Sequence, residues 1–336
     1  MTKENLKTEL LLKVIENTRS WKLILHNNPD PDAIASAFAF SHLLSHFKKS
    51  SKIYYRGIIG RSENKEMIKR LRINLHPFKN LKFRKNMNIA LFDCQVGAGN
   101  QPLSKEIIPK IVIDHHPLRK DSKKAAFADI RENIGSSSTI VAEYLRAFDI
   151  PLNIRVATAL YYGLKTDTNN FTRDFTKLDL EIMQYILDTA SMKLIGKIEN
   201  PPLTKEYYKK ICIALKNVTI YQKAIITDLG KVTYPDISAE VADFLIRMKN
   251  INWVLVLSYF EENLFFSIRT KSRQKIAGKL AVYIVKNIGS GGGHENSAGG
   301  MVAVETMEKY IKIRDTLTNK FLTKLKLNKE KGVSLL

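Results

Sequence analysis

Cysteine is scarce in this sequence, with Cys94 and Cys212 the only two among 336 residues. They lie far apart and match no metal-ligand spacing, which excludes a structural zinc bound by cysteines. Two isolated cysteines are also too few for a disulfide framework, so we expect a reduced, cytoplasmic location.

Long apolar runs are missing as well. No segment approaches the roughly 20 consecutive apolar residues that cross a bilayer, so we expect a soluble protein without a membrane partner. The N-terminal segment MTKENLKTELLLKVIENTRS mixes acidic with apolar side chains. This pattern is typical of an amphipathic helix and not of a signal peptide.

Acidic residues are in deficit, because 33 Asp and Glu face 54 Lys and Arg and give a net charge of +21. Such an excess favours an anionic partner such as a nucleotide or a nucleic acid. Since the charge is spread along the chain, a solvated basic surface without a specific partner is an equally good interpretation.

The first half of the chain alternates strand-like and helical segments. Short β-branched runs at 21–25, 52–57, 88–92 and 110–113 predict strands, and helical periodicity occupies 32–47, 137–148 and 154–165. Alternation of this kind predicts an α/β domain with a mainly parallel sheet.

The second half predicts a smaller α/β domain. Strands are expected at 223–229 and, as a hairpin, at 252–260 and 263–270, helices at 239–248 and 275–286, and a glycine-rich loop at 289–300. The stretch around the Pro-Pro pair favours a linker between domains. We therefore assign residues 1–190 to the first domain, 191–215 to the linker, 216–325 to the second domain and 326–336 to a basic tail that we expect to be frayed.

Polar side chains follow three of the predicted strands at the point where each strand ends. HNNPDPD (26–32) follows the first strand, Asp93 follows NIALF, and Asp114, His115 and His116 follow KIVI. Because the carboxyl ends of parallel strands share one sheet edge, these side chains should converge. A further carboxylate, Asp167, lies just after a helical pattern.

Each motif has an ordinary structural interpretation when it is taken alone. An aspartate at a strand end is commonly a helix cap or turn former, and paired histidines in a loop are commonly surface residues. Their combination at matching strand ends favours a divalent metal site. Carboxylates with imidazoles suit Mn²⁺, with Mg²⁺, Co²⁺ and Fe²⁺ as alternatives. The candidate ligands, enough for two ions bridged by one carboxylate, are His26, Asp30, Asp32, Asp93, His115 and Asp167.

The segment GSGGGHENSAGG (289–300) is neither a P-loop nor a dinucleotide-binding fingerprint. Its glycines let backbone approach a ligand closely, and His294 could hydrogen-bond a phosphate oxygen. Arg269, at the end of the predicted strand FFSIR, is a candidate phosphate clamp. A flexible surface loop and a solvated strand-end cation are the alternatives.

Taken together, these motifs resemble those of the DHH phosphoesterase superfamily. HNNPDPDAIAS, the aspartate of ALFDCQ, IDHHP and TDTNNF are similar to its four signatures, and GGGHENSAGG resembles that of the DHH-associated type 1 (DHHA1) domain. The resemblance implies a DHH catalytic domain joined by a linker to a DHHA1 substrate-binding domain. The pattern is most similar to nano-RNases that also act on 3′-phosphoadenosine 5′-phosphate (pAp) and to stand-alone dinucleotide phosphodiesterases.

The resemblance also implies a role for each motif residue. One metal ion would be held by His26, Asp30 and Asp93, and the other by Asp32, Asp93, His115 and Asp167, with Asp93 as the bridge. Two further residues would act in catalysis, Asp114 by orienting the neighbouring histidines and His116 by contacting the substrate phosphate. The substrate's other phosphate or terminal nucleotide would be bound by Arg269, Gly291, Gly292, Gly293 and His294.

The sequence therefore predicts a two-metal phosphoesterase that trims short oligonucleotides and dinucleotides to mononucleotides and also accepts pAp. Alternatives among enzymes are a cyclic-di-AMP or pApA phosphodiesterase and an inorganic polyphosphate or pyrophosphate hydrolase. An alternative from another class is a non-catalytic nucleic-acid-binding protein. The sequence leaves the physiological substrate and the oligomeric state, including a homodimer, open.

Overall fold

The computed structural model describes residues 3–81, 87–104, 106–172, 175–272, 276–293 and 295–336, without the side chains of residues 3–5 and 80. The chain divides into two compact units, Met1–Pro201 and Pro202–Leu336. The division falls at the Pro-Pro pair that indicated a linker. Each unit is built around its own sheet.

The first unit is an α/β domain with a parallel sheet. Its strands are β1 (Ser20–Asn27), β2 (Ser50–Arg56), β3 (Leu75–Pro77), β4 (Ile89–Phe92), β5 (Ile111–Asp114) and β6 (Phe127–Ile130). Its helices are α1 (Lys3–Glu16), α2 (Pro31–His46), α3 (Ser62–Leu71), α4 (Ser137–Ala147), α5 (Ile154–Asp167), α6 (Lys177–Leu187) and α7 (Met192–Glu199). The predicted N-terminal helix and mainly parallel sheet are confirmed.

Apolar side chains on both faces explain why the central strands of this sheet are buried. Leu25, Phe92 and Ile113 belong to a large core shared with α2, α4 and α5. Ile24 and Leu91 belong to a smaller core on the other face. Strands covered on both faces are expected to be continuously apolar, and that is the pattern of a parallel sheet.

The strand order places the ends of β1, β4 and β5 side by side. In the described part of the first unit the order is β3-β2-β1-β4-β5-β6, and every neighbouring pair is parallel. The chain moves outward from β1 in one direction through β2 and β3, and in the other through β4 to β6. The edge beyond the carboxyl ends of β1 and β4 is therefore the switch point at which open α/β sheets bind ligands.

The second unit is a smaller α/β domain with a mixed sheet. Its strands are β7 (Thr219–Tyr221), β8 (Ala224–Lys231), β9 (Trp253–Phe260), β10 (Asn263–Thr270), β11 (Ser290–Gly293), β12 (Ser297–Ala303) and β13 (Val333–Ser334). Its helices are α8 (Lys205–Lys216), α9 (Ile237–Leu245), α10 (Ala277–Ile284) and α11 (Met307–Lys324). Among the described residues the strand order is β11-β12-β10-β9-β8-β7-β13. The predicted hairpin is confirmed as the antiparallel pair β9 and β10.

The glycine-rich segment forms a hairpin and not the predicted loop. β11 pairs antiparallel with β12, which places Gly291 opposite Gly300. A Cβ on Gly300 would lie 2.3 Å from the carbonyl oxygen of Ser290 and 2.7 Å from the ring of Phe266. Glycine therefore lets these strands pack closely, but it lacks the β-branched side chains that signal a strand in a sequence.

The segments predicted as linker and tail carry regular structure. Residues 191–215 contain α7 and most of α8. In the tail, β13 pairs antiparallel with β7, and Leu335 packs against a core of the second unit. The end of the chain is therefore ordered by backbone pairing and not frayed as predicted, because a basic local sequence does not show which strand edge is available to it.

No helix within the described ranges combines the length and the hydropathy that a bilayer crossing requires.

Candidate metal centre

Polar residues from three adjacent strands lie together at one edge of the parallel sheet. His26 lies near the end of β1, Asp93 follows β4, and Asp114 ends β5. Asp167 joins them from the last turn of α5, which ends two residues later than the sequence pattern predicted. Residues from four distant segments thus lie together at one edge of the sheet.

Asp93 lies at the centre of this cluster and is only 2% exposed. Its Oδ2 is 3.5 Å from Nε2 of His26, and its Oδ1 is 3.3 Å from Nε2 of His115. The backbone of Asp93 is left-handed, with φ of 56°, a conformation that aspartate and asparagine tolerate better than most residues. One carboxylate therefore presents its two oxygens to two different groups, as a bridging ligand does.

Asp30 at the start of α2 has two partners. Its Oδ1 accepts a hydrogen bond from the amide of Ala33 at 3.0 Å and lies 3.6 Å from Nε2 of His26. Asp30 is therefore the N-cap of α2, and the same side chain also belongs to the cluster.

The N-terminus of α4 holds Asp32, which is buried in the first turn of α2. The amides of Ser137 and Ser138 donate to its two oxygens at 2.7 and 2.8 Å. The hydroxyl of Ser137 also donates to Asp93 Oδ1 at 3.1 Å. The start of one helix thus fixes the orientation of two carboxylates at once.

Replacement of Gly163 tests how closely α5 must approach this site. A Cβ at Gly163 would lie 2.6 Å from Ser138 Oγ and 3.2 Å from the Cα of Asp32. We expect Gly163→Ala to destabilise the first unit by about 1–3 kcal/mol, because the added methyl overpacks the contact. Gly196→Ala is the matched control, since a Cβ there meets no atom within 4 Å, and it should stabilise by up to about 1 kcal/mol through helix propensity. Urea unfolding measures both, and effects of the same sign would contradict this account.

Two histidines of the cluster are oriented by backbone carbonyl groups. Nδ1 of His26 lies 2.9 Å from the oxygen of Asn27, and Nδ1 of His115 lies 3.2 Å from the oxygen of Ile134. A carbonyl oxygen only accepts, so Nδ1 is the donor on each ring and Nε2 is turned to the carboxylates. Metal-binding histidines are held in the same way, so these side chains fit a divalent cation.

The neighbouring carboxylates raise the pKa of both imidazoles by more than burial lowers it. Burial by itself lowers the pKa of His26, but Asp30 and Asp93 raise that pKa well above its usual value. Burial likewise lowers the pKa of His115, and Asp167 and Asp93 raise it well above its usual value. Both rings therefore lie in a strongly negative environment that favours a cation.

The pKa values of two carboxylates in the cluster are shifted in opposite directions. Burial by itself raises the pKa of Asp93, but hydrogen bonds from His115 and His26 hold that pKa well below its usual range. Burial also raises the pKa of Asp32, and the charges of Asp93 and Asp167 raise it further. The carboxylates of the cluster therefore carry more negative charge than the histidines can neutralise. A bound divalent cation would reduce the repulsion between these carboxylates.

Asp114 and His116 form a separate pair beside these residues. Nδ1 of His116 lies 2.9 Å from Asp114 Oδ1 and 3.5 Å from Asp93 Oδ1. Burial by itself lowers the pKa of His116, but the hydrogen bond to Asp114 and the charge of Asp93 outweigh burial and raise that pKa to about 8. The imidazole is therefore protonated near neutral pH and has a fixed orientation.

Three sets of side chains could hold a metal ion, and in each set the ligand atoms lie within 4.8 Å of one another. Among the described residues the sets are His26, Asp30 and Asp93; Asp32, His115 and Asp167; and Asp93, His115 and His116. Every ligand proposed from the sequence belongs to at least one set.

Arg269 in the second unit is clamped by a carboxylate. It lies in β10 opposite Ser297 of β12. Its Nε and Nη2 face the carboxylate of Asp243 at 2.5 and 3.4 Å, and its Nη1 donates to the oxygen of Ile268 at 3.0 Å. Counted over the described residues, these contacts use three of the five guanidinium N–H groups. One N–H on each terminal nitrogen has no partner among the described residues.

The other substrate residues predicted in this unit lie on or next to β11. Gly291, Gly292 and Gly293 are strand residues, and a Cβ on Gly293 would lie 2.4 Å from the oxygen of Ser297. His294 lies outside the described residues.

Two features of the site were not predicted from the sequence. The amides of Ser137 and Ser138 hold Asp32, and Gln95 donates to Asp114 at 2.6 Å. A run of serines before an apolar helical pattern is a helix-start signal, but it does not reveal which carboxylate those amides face. The position of Gln95, two residues after Asp93, was the available hint of its role.

Comparison with protein families identifies two domains in this chain. A model described as "DHH family, N-terminal domain" matches residues 23–164. A model described as "DHHA1 domain" matches residues 221–320. The two matches fall in the first and second units respectively.

Individual relatives extend this result. The uncharacterized protein MJ1633 of Methanocaldococcus jannaschii is 32% identical over 294 residues, which are 87% of this chain and 60% of the relative, so the chain spans less than two thirds of that protein. An exopolyphosphatase-related protein from Bacteroides fragilis has a TM-score of 0.76 at 19% identity, covering 97% of this chain and 100% of that one. RecJ from Thermus thermophilus in complex with Mn²⁺ has a TM-score of 0.55 at 11% identity, covering 94% and 55%. At these identities the two structures show a shared fold. The two domain matches show that the chain carries a DHH-family domain followed by a DHHA1 domain.

Proposed function

We propose that this protein is a metal-dependent phosphoesterase that hydrolyses dinucleotides and other short oligonucleotides to mononucleotides, and that it also accepts pAp. One observation carries the proposal. The two oxygens of Asp93 face His26 on one side and His115 on the other, and each histidine has a further carboxylate beside it. Two ligand sets that share a carboxylate are the arrangement used for two-ion hydrolysis of phosphoesters.

The proposed ions are two Mn²⁺ held by the ligand sets that share Asp93. Carboxylates combined with imidazoles suit this ion, and the RecJ structure of similar fold contains it. When bound, the ions would supply Lewis-acid activation of the attacking water and of the phosphoryl group.

His116 would donate a proton to the leaving oxygen of the substrate. Asp114 accepts from Nδ1 at 2.9 Å, so Nε2, on the other side of the ring, would face the substrate. Burial by itself lowers the pKa of His116, and the hydrogen bond to Asp114 together with the charge of Asp93 raises it to about 8. A pKa close to the working pH suits a proton donor.

Arg269 would bind the substrate's other phosphate through its two remaining N–H groups. We expect Arg269→Ala to raise KM for pApA by roughly 10–100-fold, the value of a hydrogen bond to a charged group, with little change in kcat. Arg314→Ala is the control, because Arg314 is paired with Asp228 and Asp315 in the same unit and its loss changes the net charge equally. Steady-state kinetics would contradict the assignment if both variants raised KM to the same extent.

A substrate panel tests the proposed function directly. Purified protein with Mn²⁺ is given pApA, pAp, cyclic di-AMP, inorganic polyphosphate and a long single-stranded RNA, and each reaction is repeated with a chelator. We expect pApA and similarly short oligonucleotides to have the highest kcat/KM, and chelation to abolish turnover. Faster cleavage of the long strand, or turnover that survives chelation, would contradict the proposal.

Inorganic polyphosphate is the second candidate substrate. The Bacteroides fragilis protein that shares the fold over nearly the whole chain is described as exopolyphosphatase-related. A net charge of +21 favours either kind of polyanion. The ratio of kcat/KM for pApA to that for polyphosphate separates the two, and a ratio below one would favour polyphosphate.

A further inference from the structure

Gln95 is a buried amide that the proposed chemistry does not yet use. It is 1% exposed and follows Asp93 by two residues. Its Nε2 donates to Asp114 Oδ2 at 2.6 Å and lies 3.3 and 3.2 Å from the carbonyl oxygens of His116 and Pro117. A buried amide with this many partners holds the segment after β5 against the segment after β4.

The other end of the amide is equally well defined. Oε1 of Gln95 accepts from the backbone amide of Arg119 at 2.7 Å and from the hydroxyl of Ser122 at 3.1 Å. A reversed amide would place its oxygen against a carboxylate and two carbonyl oxygens, and its NH₂ against the Arg119 N–H. The orientation of the amide is therefore fixed by the chemistry of its partners.

Gln95 also completes the set of donors around Asp114. Asp114 Oδ1 accepts from the backbone amides of His115 and His116 at 2.9 and 3.3 Å and from His116 Nδ1 at 2.9 Å. Asp114 Oδ2 accepts from Gln95. With donors on both oxygens the carboxylate cannot rotate about its Cβ–Cγ bond without losing a hydrogen bond, so the plane in which it receives the imidazole is fixed.

We propose that Gln95 is a positioning residue, which sets the orientation of His116 through Asp114 and so aims Nε2 at the leaving oxygen of the substrate. The inference rests on the proposed function, because it assigns Gln95 to the proton-donating step. It does not assign Gln95 to metal binding, since neither end of its amide contacts a proposed ligand side chain among the described residues.

Gln95→Met keeps the length of the side chain and removes its hydrogen bonds. We expect kcat for pApA to fall by roughly 10–100-fold, the usual effect of losing a partner that orients a functional group, with KM and the Kd for Mn²⁺ unchanged. For a thymidine 5′-phosphodiester with a p-nitrophenyl leaving group, kcat of the variant should fall much less, because that leaving group departs without being protonated. Gln101→Met is the matched control, because Gln101 is also buried and, within the described ranges, its side chain bonds only to Leu103. It should leave kcat unchanged for both substrates.

A double-mutant cycle separates positioning from general loss of structure. If Gln95 acts through His116, the double variant Gln95→Met/His116→Gln should be no slower than His116→Gln alone. Additive losses, or an equal loss of kcat for both leaving groups, would overturn the proposal.

Two further measurements keep the inference testable if Gln95→Met folds poorly or the substrate is wrong. Ser122→Ala removes only the hydroxyl that donates to Gln95 and should lower kcat by about 2–10-fold with the same dependence on leaving group. In the metal-free protein, the NMR signal of the His116 Nδ1 proton, assigned by its absence in His116→Gln, should shift or broaden in Ser122→Ala and Gln95→Met but not in Gln101→Met. An unchanged signal would overturn the role of Gln95, whereas inactivity of the wild type towards every nucleotide would overturn the proposed function alone.

Discussion

Asp93→Asn should abolish measurable Mn²⁺-dependent hydrolysis, with kcat/KM reduced by more than about 100-fold. Loss of a residue that merely orients a metal ligand already costs about 10–100-fold, and Asp93 faces both proposed ligand sets directly. Asparagine keeps the size of the side chain and tolerates the left-handed backbone at this position. The loss is therefore attributable to the missing carboxylate and not to strain.

The affinity for the ion gives an independent measure of the same change. Isothermal titration with Mn²⁺ should show at least one of two sites weakened by more than about 100-fold, because a neutral amide replaces a carboxylate proposed to serve both ions. Asp188→Asn, an exposed carboxylate at the end of α6, is the control and should stay within about twofold of the wild type, as surface changes usually do. Full activity and an unchanged Mn²⁺ affinity of Asp93→Asn would contradict the role of Asp93 as a ligand shared by both ions.

Asp129→Asn should produce a large loss of stability while it leaves the metal centre intact. Asp129 is fully buried at β6 and receives Arg131 Nη2 at 2.6 Å, the Tyr144 hydroxyl at 2.7 Å and the ammonium of Lys7. The other terminal nitrogen of Arg131 lies 2.6 Å from Glu143. This network ties α1 and α4 to the edge of the parallel sheet.

We expect Asp129→Asn to lower the free energy of unfolding of the first unit by roughly 3 kcal/mol, because Arg131, Lys7 and the Tyr144 hydroxyl all lose a charged acceptor that is itself fully buried. For a unit of this size the corresponding fall in Tm is about 6–12 °C. Asp121→Asn breaks the exposed pair with Lys124 and should cost less than about 1 kcal/mol. Calorimetry measures the Tm of both variants. Equal shifts in Tm would contradict a larger contribution of the Asp129 network to stability than that of an exposed ion pair.

At acidic pH, the free energies of unfolding of the wild type and of Asp129→Asn should become more similar. Burial by itself raises the pKa of Asp129, but Arg131, Lys7 and Tyr144 outweigh burial and lower it. A carboxyl group with a lowered folded-state pKa stabilises the fold above its unfolded pKa of about 4, and this contribution declines as the pH falls toward the folded value. The stability gap should therefore be constant from about pH 5 to 8 and shrink below about pH 4. A gap that persists unchanged in acid would show that Asp129 stabilises the unit by packing alone.

The central strands and the candidate ligands were predictable because their signals are local. Apolar runs such as IALF and IVID remain strands in almost any context that buries both faces, and the polar residues directly after them have only one sheet edge on which to lie. The glycine-rich hairpin was not predictable in the same way. Its pairing depends on the ring of Phe266 and the carbonyl oxygen of Ser290, which approach Gly300 only in the folded sheet.

The sequence by itself determined the parallel fold and which side chains gather beyond β1, β4 and β5. Both are predictable because the strand pattern and the polar residues that follow each strand lie within short segments. Only the tertiary structure decided how those side chains are held. The backbone amides of Ser137 and Ser138 donate hydrogen bonds to Asp32, and the side-chain amide of Gln95 donates one to Asp114. The sequence does not show which carboxylate these donors face. Contacts between residues up to about a hundred positions apart depend on how helices and strands pack, and packing is a property of the whole folded unit.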